Sequence, residues 1–358
     1  VSDGISVVVP VRNGAAWIEN TLAAIVAQDD RRAIEIIAVD DRSSDDSPVI
    51  LQRLAARWPL RVLSGDGAGA AAALNTGFRA ARFPIVCQID QDVVVRPDWM
   101  RRLTAELDDP TVAAAQGYFE TDQRAGLCGR AMNLDLEQRY AAIAGSLTGH
   151  VCTGNTAYRA SALQRIGHFD ETLGYGYDND VSYRLLAAGY RLTICREARA
   201  VHRWREGLIG YLAQQYGFGY GRIDLVAKHP SRVGGDSVSP AAMMVQPLLT
   251  ALAIASAAAA AIAGIAGASW LTPATAAAAL LGVVVLDRLI AGVAAARRFR
   301  TLTPLVFPLL HVARNLAWVA AIVGWTARRL AGRRSTPAHS MRPRPLIALE
   351  TDRRDPHI

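Results

Sequence analysis

From Ser237 to Leu286 the chain carries no charged side chain, and that stretch limits the possible folds more than any other feature. About 20 apolar residues cross the hydrocarbon core of a bilayer as one helix, so the run is long enough to cross twice. The residues before it mix acids, arginines and apolar side chains as a water-exposed domain does. Arginine gathers at the borders: Arg222, Lys228 and Arg232 precede the apolar part, Arg297, Arg298 and Arg300 interrupt it, and Arg328, Arg329, Arg333 and Arg334 follow. Such flanks mark the cytoplasmic side of a membrane. Segments at about 241–265 and 274–296, joined by a turn over 267–273, therefore read as a hairpin with both ends inside. A third segment, about 303–327, places His311, Arg314, Asn315 and Trp318 on one helical face. That spacing suits a helix lying in the interface better than a third crossing. The expected organisation is a cytoplasmic domain over 1–232, a membrane region over 233–330 and a basic, disordered tail over 331–358.

The net charge is +7, and Lys228 is the only lysine. A nucleic-acid binder spreads basic and aromatic residues through its folded domain, whereas here the arginine excess borders the apolar segments. Nucleic acid is excluded as a partner, and membrane lipids are expected. Cys87, Cys128, Cys152 and Cys195 show no paired-ligand spacing, so they read as reduced packing residues. The first strand already begins at Ile5, which leaves no room for a charged leader ahead of it.

The front domain alternates regularly. Ile5 to Val9, Ile34 to Val39, Arg61 to Leu63 and Pro84 to Ile89 are continuous apolar or β-branched runs. Between them, Ala15 to Ala27, Pro48 to Trp58 and Ala70 to Ala81 have helical spacing. Strands without polar alternation, separated by helices, imply a doubly wound α/β domain whose mostly parallel sheet is covered on both faces. Beyond Asp98 the expected elements are helices over 99–107, 127–144, 161–166 and 180–188, with strands over 112–119, 151–159 and 192–195.

Asp90-Gln91-Asp92 stands at the end of the fourth strand. Strand periodicity puts both carboxylates on one side of the backbone, at the sheet edge where α/β proteins bind ligands. Hard cations such as Mg²⁺ or Mn²⁺ take oxygen ligands together with a substrate's phosphates. The pair therefore outlines a diphosphate site, although an isolated Asp-x-Asp is more often a solvated acidic turn.

Order adds what no single motif supplies. Pro10-Val11-Arg12-Asn13-Gly14 follows the first strand and Asp40-Asp41-Arg42-Ser43-Ser44 ends the second. Leu74-Asn75-Thr76-Gly77 precedes Asp90-Gln91-Asp92, and Gly154-Asn155-Thr156, Gly167-His168-Phe169-Asp170 and Tyr177-Asp178-Asn179-Asp180 come after. From about Ile5 to His202 this set resembles the family-2 inverting glycosyltransferases, of the exopolysaccharide type with C-terminal membrane segments. The resemblance implies a GT-A type nucleotide-sugar-binding fold, a UDP-sugar donor and Mg²⁺ or Mn²⁺. By position, Pro10 and Asn13 would line the nucleotide pocket and Asp41, with Asp40 behind it, would hydrogen-bond the base. Asn75, Asp90 and Asp92 would complete the donor side, with Asp92 and His202 as metal ligands. Asp178 would be the base that takes the acceptor's proton, with Gly154, Asn155, Asp180 and Arg184 on the acceptor side. The family usually has Glu-Asp where this chain has Tyr177-Asp178, which removes a companion carboxylate.

Plainer roles compete. The cluster from Ser44 to Ser47 reads as a helix cap ahead of Pro48, and Asp178 and Asp180 are acids in a first helical turn, where the helix dipole favours them. Gly65 to Gly69 lacks the placement of a dinucleotide fingerprint. The Gln-x-x-Arg-Trp of processive synthases is missing from Gln214 to Arg222, where Tyr216, Phe218 or Tyr220 would stack on a sugar or anchor at the interface. The expected activity is therefore transfer of one sugar to a lipid-linked or envelope-glycan acceptor. A transferase acting on polyprenyl phosphate and a catalytically silent, sugar-nucleotide-binding scaffold are the alternatives.

Overall fold

The structure, a computed structural model, describes residues 4–203 and 207–332; Trp204 and the basic tail from Arg333 lie outside them. In chain order it contains β1 (Gly4–Val11), α1 (Ile18–Val26), β2 (Ala33–Asp40), α2 (Ser47–Ala55), β3 (Leu60–Ser64), α3 (Ala70–Ala80) and β4 (Ile85–Ile89). Then come β5 (Val93–Val95), α4 (Trp99–Ala105), β6 (Val112–Glu120), α5 (Leu127–Ile143), β7 (Asn155–Arg159), α6 (Ala160–Ile166), α7 (Tyr177–Ala187) and β8 (Arg191–His202). Four long helices follow: α8 (Leu208–Lys228), α9 (Ala241–Ile265), α10 (Leu271–Phe299) and α11 (Phe307–Leu330).

The strands form one sheet in the order β3-β2-β1-β4-β7-β6-β8-β5. β1 to β4 are mutually parallel, because helical crossovers join them. β7 then runs antiparallel to both β4 and β6, which makes the sheet mixed. Apolar side chains alternate between two cores. Val7 and Val9 join Ile18, Leu22, Leu51 and Trp99 on one face, whereas Val8 joins Leu74, Phe78, Tyr158 and Leu185 on the other. Burial on both faces is the reason these strands read as unbroken apolar runs.

Two elements were not foreseen. β5 has only three residues, yet it pairs antiparallel with the end of β8 and sets Val93 opposite His202. α8 spans Gln214 to Arg222, where glycines weaken the helical signal. Those glycines are sites of close approach. A Cβ on Gly217 would run into the Tyr175 ring, one on Gly221 would meet Tyr175 Cβ at 2.6 Å, and one on Gly219 would meet Trp318 Cα at 3.0 Å. α8 is thereby pressed between the loop before α7 and helix α11.

α9, α10 and α11 are each long and apolar enough to cross a membrane. The polar face of α11 was expected to lie at a lipid interface. Instead it turns inward: His311, Arg314, Asn315 and Trp318 are buried against protein. Arg314 donates to Gln246 Oε1 on α9 at 2.7 Å, Gln246 donates to Asp287 on α10 at 2.6 Å, and His311 lies 3.3 Å from Asp135 on α5. Arg288 pairs with its neighbour Asp287 at 2.6 Å. Polar groups inside an apolar bundle need such partners, so the pattern on α11 reflects packing and does not argue against a crossing.

Candidate active site

The carboxyl ends of β1, β2 and β4 lie side by side at one sheet edge, and the site is built there. After β4 the chain makes a tight turn over Asp90-Gln91-Asp92, closed by the Val93 N–H donating to Asp90 O at 3.1 Å, and enters β5. Gln91 staples the loop after β1: its Oε1 accepts the Arg12 N–H at 2.8 Å and its amide donates to Arg12 O at 3.1 Å. Asp90 and Asp92 are left facing the cleft. Pairing of β5 with β8 delivers His202, whose Nε2 lies 3.2 Å from Asp92 Oδ1. One ligand atom from each of Asp90, Asp92 and His202 falls within 4.8 Å of the other two.

Electrostatics there favour a cation. Burial, and then the charge of Asp92, push the Asp90 carboxyl up to about 6, with Asp178 adding to the repulsion. Burial pushes His202 down, but Asp92 and Asp90 outweigh it and hold the imidazole above its ordinary value. Two crowded carboxylates and one imidazole make a donor set that a divalent ion would relieve, and the nitrogen suits Mn²⁺ better than Mg²⁺.

Gly154 touches the same cluster. Its φ of +97° is a left-handed conformation, and a Cβ there would meet Asp90 Oδ2 at 2.5 Å. Gly154 was expected on the acceptor side, but it sits behind the Asp90 carboxylate and lets that group lie against the backbone.

On the nucleotide side, Pro10 is half-buried in β1 and Asn13 is exposed. Asn13 Oδ1 accepts the Ser44 N–H at 2.7 Å, and the Asn13 N–H donates to Ser43 at 2.9 Å. Asp41 is buried and already engaged, accepting from Gly67 N–H at 2.8 Å, Gly69 N–H at 3.0 Å and Arg12 at 3.1 Å. It braces the glycine loop that follows β3. Asp40 keeps one buried carboxylate oxygen, Oδ1, without a hydrogen-bond partner among the described residues. The Ser44–Ser47 cluster does not cap α2 through a side chain. It ties loops together instead, with Asp45 accepting from Ala15 N–H and Ser47 from Gly14 N–H.

Four residues expected at ligands have protein partners. Asn75 is buried and clamps the loop before α7, donating to Phe169 O at 2.9 Å and Glu171 at 2.7 Å while accepting from Phe169 N–H at 3.0 Å. Asn155 lies under the sheet, where its Oδ1 accepts the Trp99 indole N–H at 2.5 Å. Asp180 is fully buried and neutralised by Arg184, Lys228 and His229 at 2.7, 2.7 and 2.8 Å. Arg184 in turn donates to Ile166 O and His168 O, each at 2.6 Å. These four side chains hold the fold.

Asp178, two residues before Asp180, faces the other way into the cleft at the start of α7. Tyr177, where a companion carboxylate was missing, packs edge-on against Phe169 with ring centroids 6.0 Å apart. His150, which no motif singled out, lies with Nε2 3.6 Å from Asp178 and Nδ1 4.0 Å from Asp236. Asp236 is held by Tyr183 OH at 2.8 Å and Asn179 at 3.1 Å. Burial pushes His150 down, yet Asp178 and Asp236 raise it above its ordinary value. A carboxylate at a helix start, with one oxygen toward a cleft and an imidazole behind it, is equipped to take a proton.

Comparison with known proteins identifies the family and the fold. Residues 6–167 match the family model described as Glycosyl transferase family 2. A pre-mycofactocin glycosyltransferase of Mycobacterium tuberculosis is 30% identical over 261 residues, covering 69% of this chain and 52% of the relative. The succinoglycan biosynthesis protein ExoA of Rhizobium meliloti is 27% identical over 248 residues, covering 66% and 74%. The chain thus spans about half the length of the first of these relatives. Among solved structures, the mannosyltransferase PcManGT of Pyrobaculum calidifontis, in complex with GDP-Man and Mn²⁺, superposes with a TM-score of 0.58 at 22% identity. That likeness covers 91% of this chain and 88% of the other, and shows that the two share the GT-A type fold.

Proposed function

This chain carries a glycosyl transferase family 2 domain on a GT-A type fold, and from that premise we propose that it moves one sugar from a nucleotide-sugar donor to an acceptor presented at a membrane, inverting the anomeric centre. The observation that carries the reading is the convergence of Asp90, Asp92 and His202 in the cleft that Asp178 also faces. Asp92 and His202, with Asp90 beside them, are the residues that would hold Mn²⁺ or Mg²⁺. When bound, such an ion supplies charge stabilisation for a departing diphosphate. Pro10, Asn13, Asp40 and Asp41 line or brace the nucleotide side, and a UDP-sugar is the donor class we assign. Asp178 takes the proton as the acceptor oxygen bonds to the anomeric carbon and the sugar–diphosphate bond breaks. Helices α9 to α11 hold the domain at the bilayer, and their arginine flanks support a cytoplasmic active site over residues 1–232.

The test is calorimetric titration of the full chain in detergent with UDP-sugars and GDP-sugars, with and without Mn²⁺, followed by NMR of the product's anomeric proton. Mn²⁺-dependent donor binding with an inverted product supports the proposal. Donor binding without turnover, unaltered by Asp178→Asn, would favour a silent scaffold.

A further inference from the structure

We propose that the acceptor is an alcohol carried on an apolar body, and that a chamber between α5, α8, α9 and α11 holds that body with its hydroxyl at Asp178. The proposal rests on the transferase reading above and narrows its acceptor to one chemical class.

The chamber has a volume of about 240 Å³, and Asp178, His150 and Asn179 form part of its lining. Apolar wall comes from Met132 and Leu136 of α5, Phe218 of α8, Met244 of α9, and Phe307 and Leu310 of α11, with Arg139, Gln215, Arg222 and Arg314 also reaching it. At about 30 Å³ per water it has room for roughly eight waters, which suits one ring system or a short isoprenoid segment but not an oligosaccharide. The cations on its wall each have a protein partner, although the buried Nε of Arg222 has none among the described residues. Arg139 pairs with Asp135 at 3.1 Å, Arg314 donates to Gln246 at 2.7 Å, and Arg222 donates to Arg232 O at 2.6 Å. The exposed wall is mostly apolar, so a sugar ring there would set many of its hydroxyls against carbon, each unpartnered one at a cost of about 1–3 kcal/mol.

One polar place is marked. His150 is buried, and among the described residues both ring nitrogens lack a hydrogen bond, since Asp178 and Asp236 stand at 3.6 and 4.0 Å. A single hydroxyl between Asp178 and His150 would satisfy both groups. A phosphate would meet the Asp178 and Asp236 carboxylates instead, and an ionised phosphate oxygen needs no base. In the step itself, the alcohol oxygen bonds to the anomeric carbon and its proton passes to Asp178. The diphosphate leaves with the electron pair of the broken bond.

The experiment supplies the full chain in detergent with Mn²⁺ and radiolabelled UDP-glucose or GDP-mannose, and offers farnesol, 4-hexylphenol, cellobiose and farnesyl phosphate as acceptors. Transfer to farnesol or 4-hexylphenol with kcat/KM about tenfold or more above the other two is expected. Leu310→Trp, which fills the chamber, should lower that transfer about tenfold or more while the affinity for UDP is kept. 4-Hexylanisole, which has the same body without the hydroxyl, should compete with 4-hexylphenol, and this arm needs no variant. Preference for cellobiose or for farnesyl phosphate overturns the proposal, as does failure of 4-hexylanisole to compete. Absence of UDP and GDP binding removes the transferase reading itself, and this inference with it. Donor binding combined with the wrong acceptor preference removes only the inference.

Discussion

The two sides of the cleft are constructed differently. On the donor side, side chains at the ends of adjacent parallel strands are fixed by backbone groups of neighbouring loops: Gln91 on Arg12, and Asp41 on Gly67 and Gly69. On the proposed acceptor side, His150 and Asp236 come from loops, Asp178 from α7, and the chamber walls from α5, α8, α9 and α11. A site made of strand ends is positioned by the sheet, which tolerates little variation in register. A site made of helices and loops is free to change its lining while the chemistry beside it stays the same. The difference teaches that, under the proposed function, donor and acceptor recognition are separable.

That separation can be broken by experiment. The largest effect is expected from Asp92→Ala, which should abolish Mn²⁺-dependent donor binding and lower turnover by roughly 10³-fold or more, since a bound ion contributes several kcal/mol. Retained donor affinity in calorimetry would contradict the assignment. Asp178→Asn should reduce transfer by about 10²-fold or more with donor affinity unchanged. If donor binding fell in parallel, the two sides would not be independent. Asp180→Ala leaves Arg184, Lys228 and His229 without that buried carboxylate and should cost about 3–5 kcal/mol of unfolding free energy. Denaturant unfolding of the full chain reads this, and unaltered stability combined with lost acceptor affinity would restore Asp180 to the acceptor side.

The smallest effect concerns pH. His150 lies above its ordinary value near 6.5 because Asp178 and Asp236 outweigh burial. The stabilisation this pairing gives is complete below that ordinary value and is lost as pH rises through the raised one. Between about pH 6 and about pH 9, the melting temperature of the native chain should fall relative to that of His150→Gln. Parallel curves would show that the imidazole carries no charge in the fold.

The donor half was largely legible. Continuous apolar runs marked β1, β2 and β4, and acids at strand ends marked the site. β5 escaped notice because three valines are too few to distinguish a strand from a loop, yet its pairing is what brings His202 to Asp92. Asn75, Asn155, Asp180 and Arg184 were assigned to ligands because a buried polar residue has the same letter whether its partner is substrate or protein. Only hydrogen bonding to Phe169, Trp99, Lys228 and Ile166 separates the two cases. His150 carried no readable signal, since a single histidine in a loop becomes informative only when its neighbours are known.

Glycines 217, 219 and 221 give α8 almost no thickness between Tyr175 and Trp318. Without side chains to act as a compressible spacer, any tilt of α11 would pass directly to the loop that leads from Tyr175 into Asp178. Bilayer thickness would then set how far the reacting hydroxyl stands above the lipid, and membranes of different composition would become a means of tuning turnover.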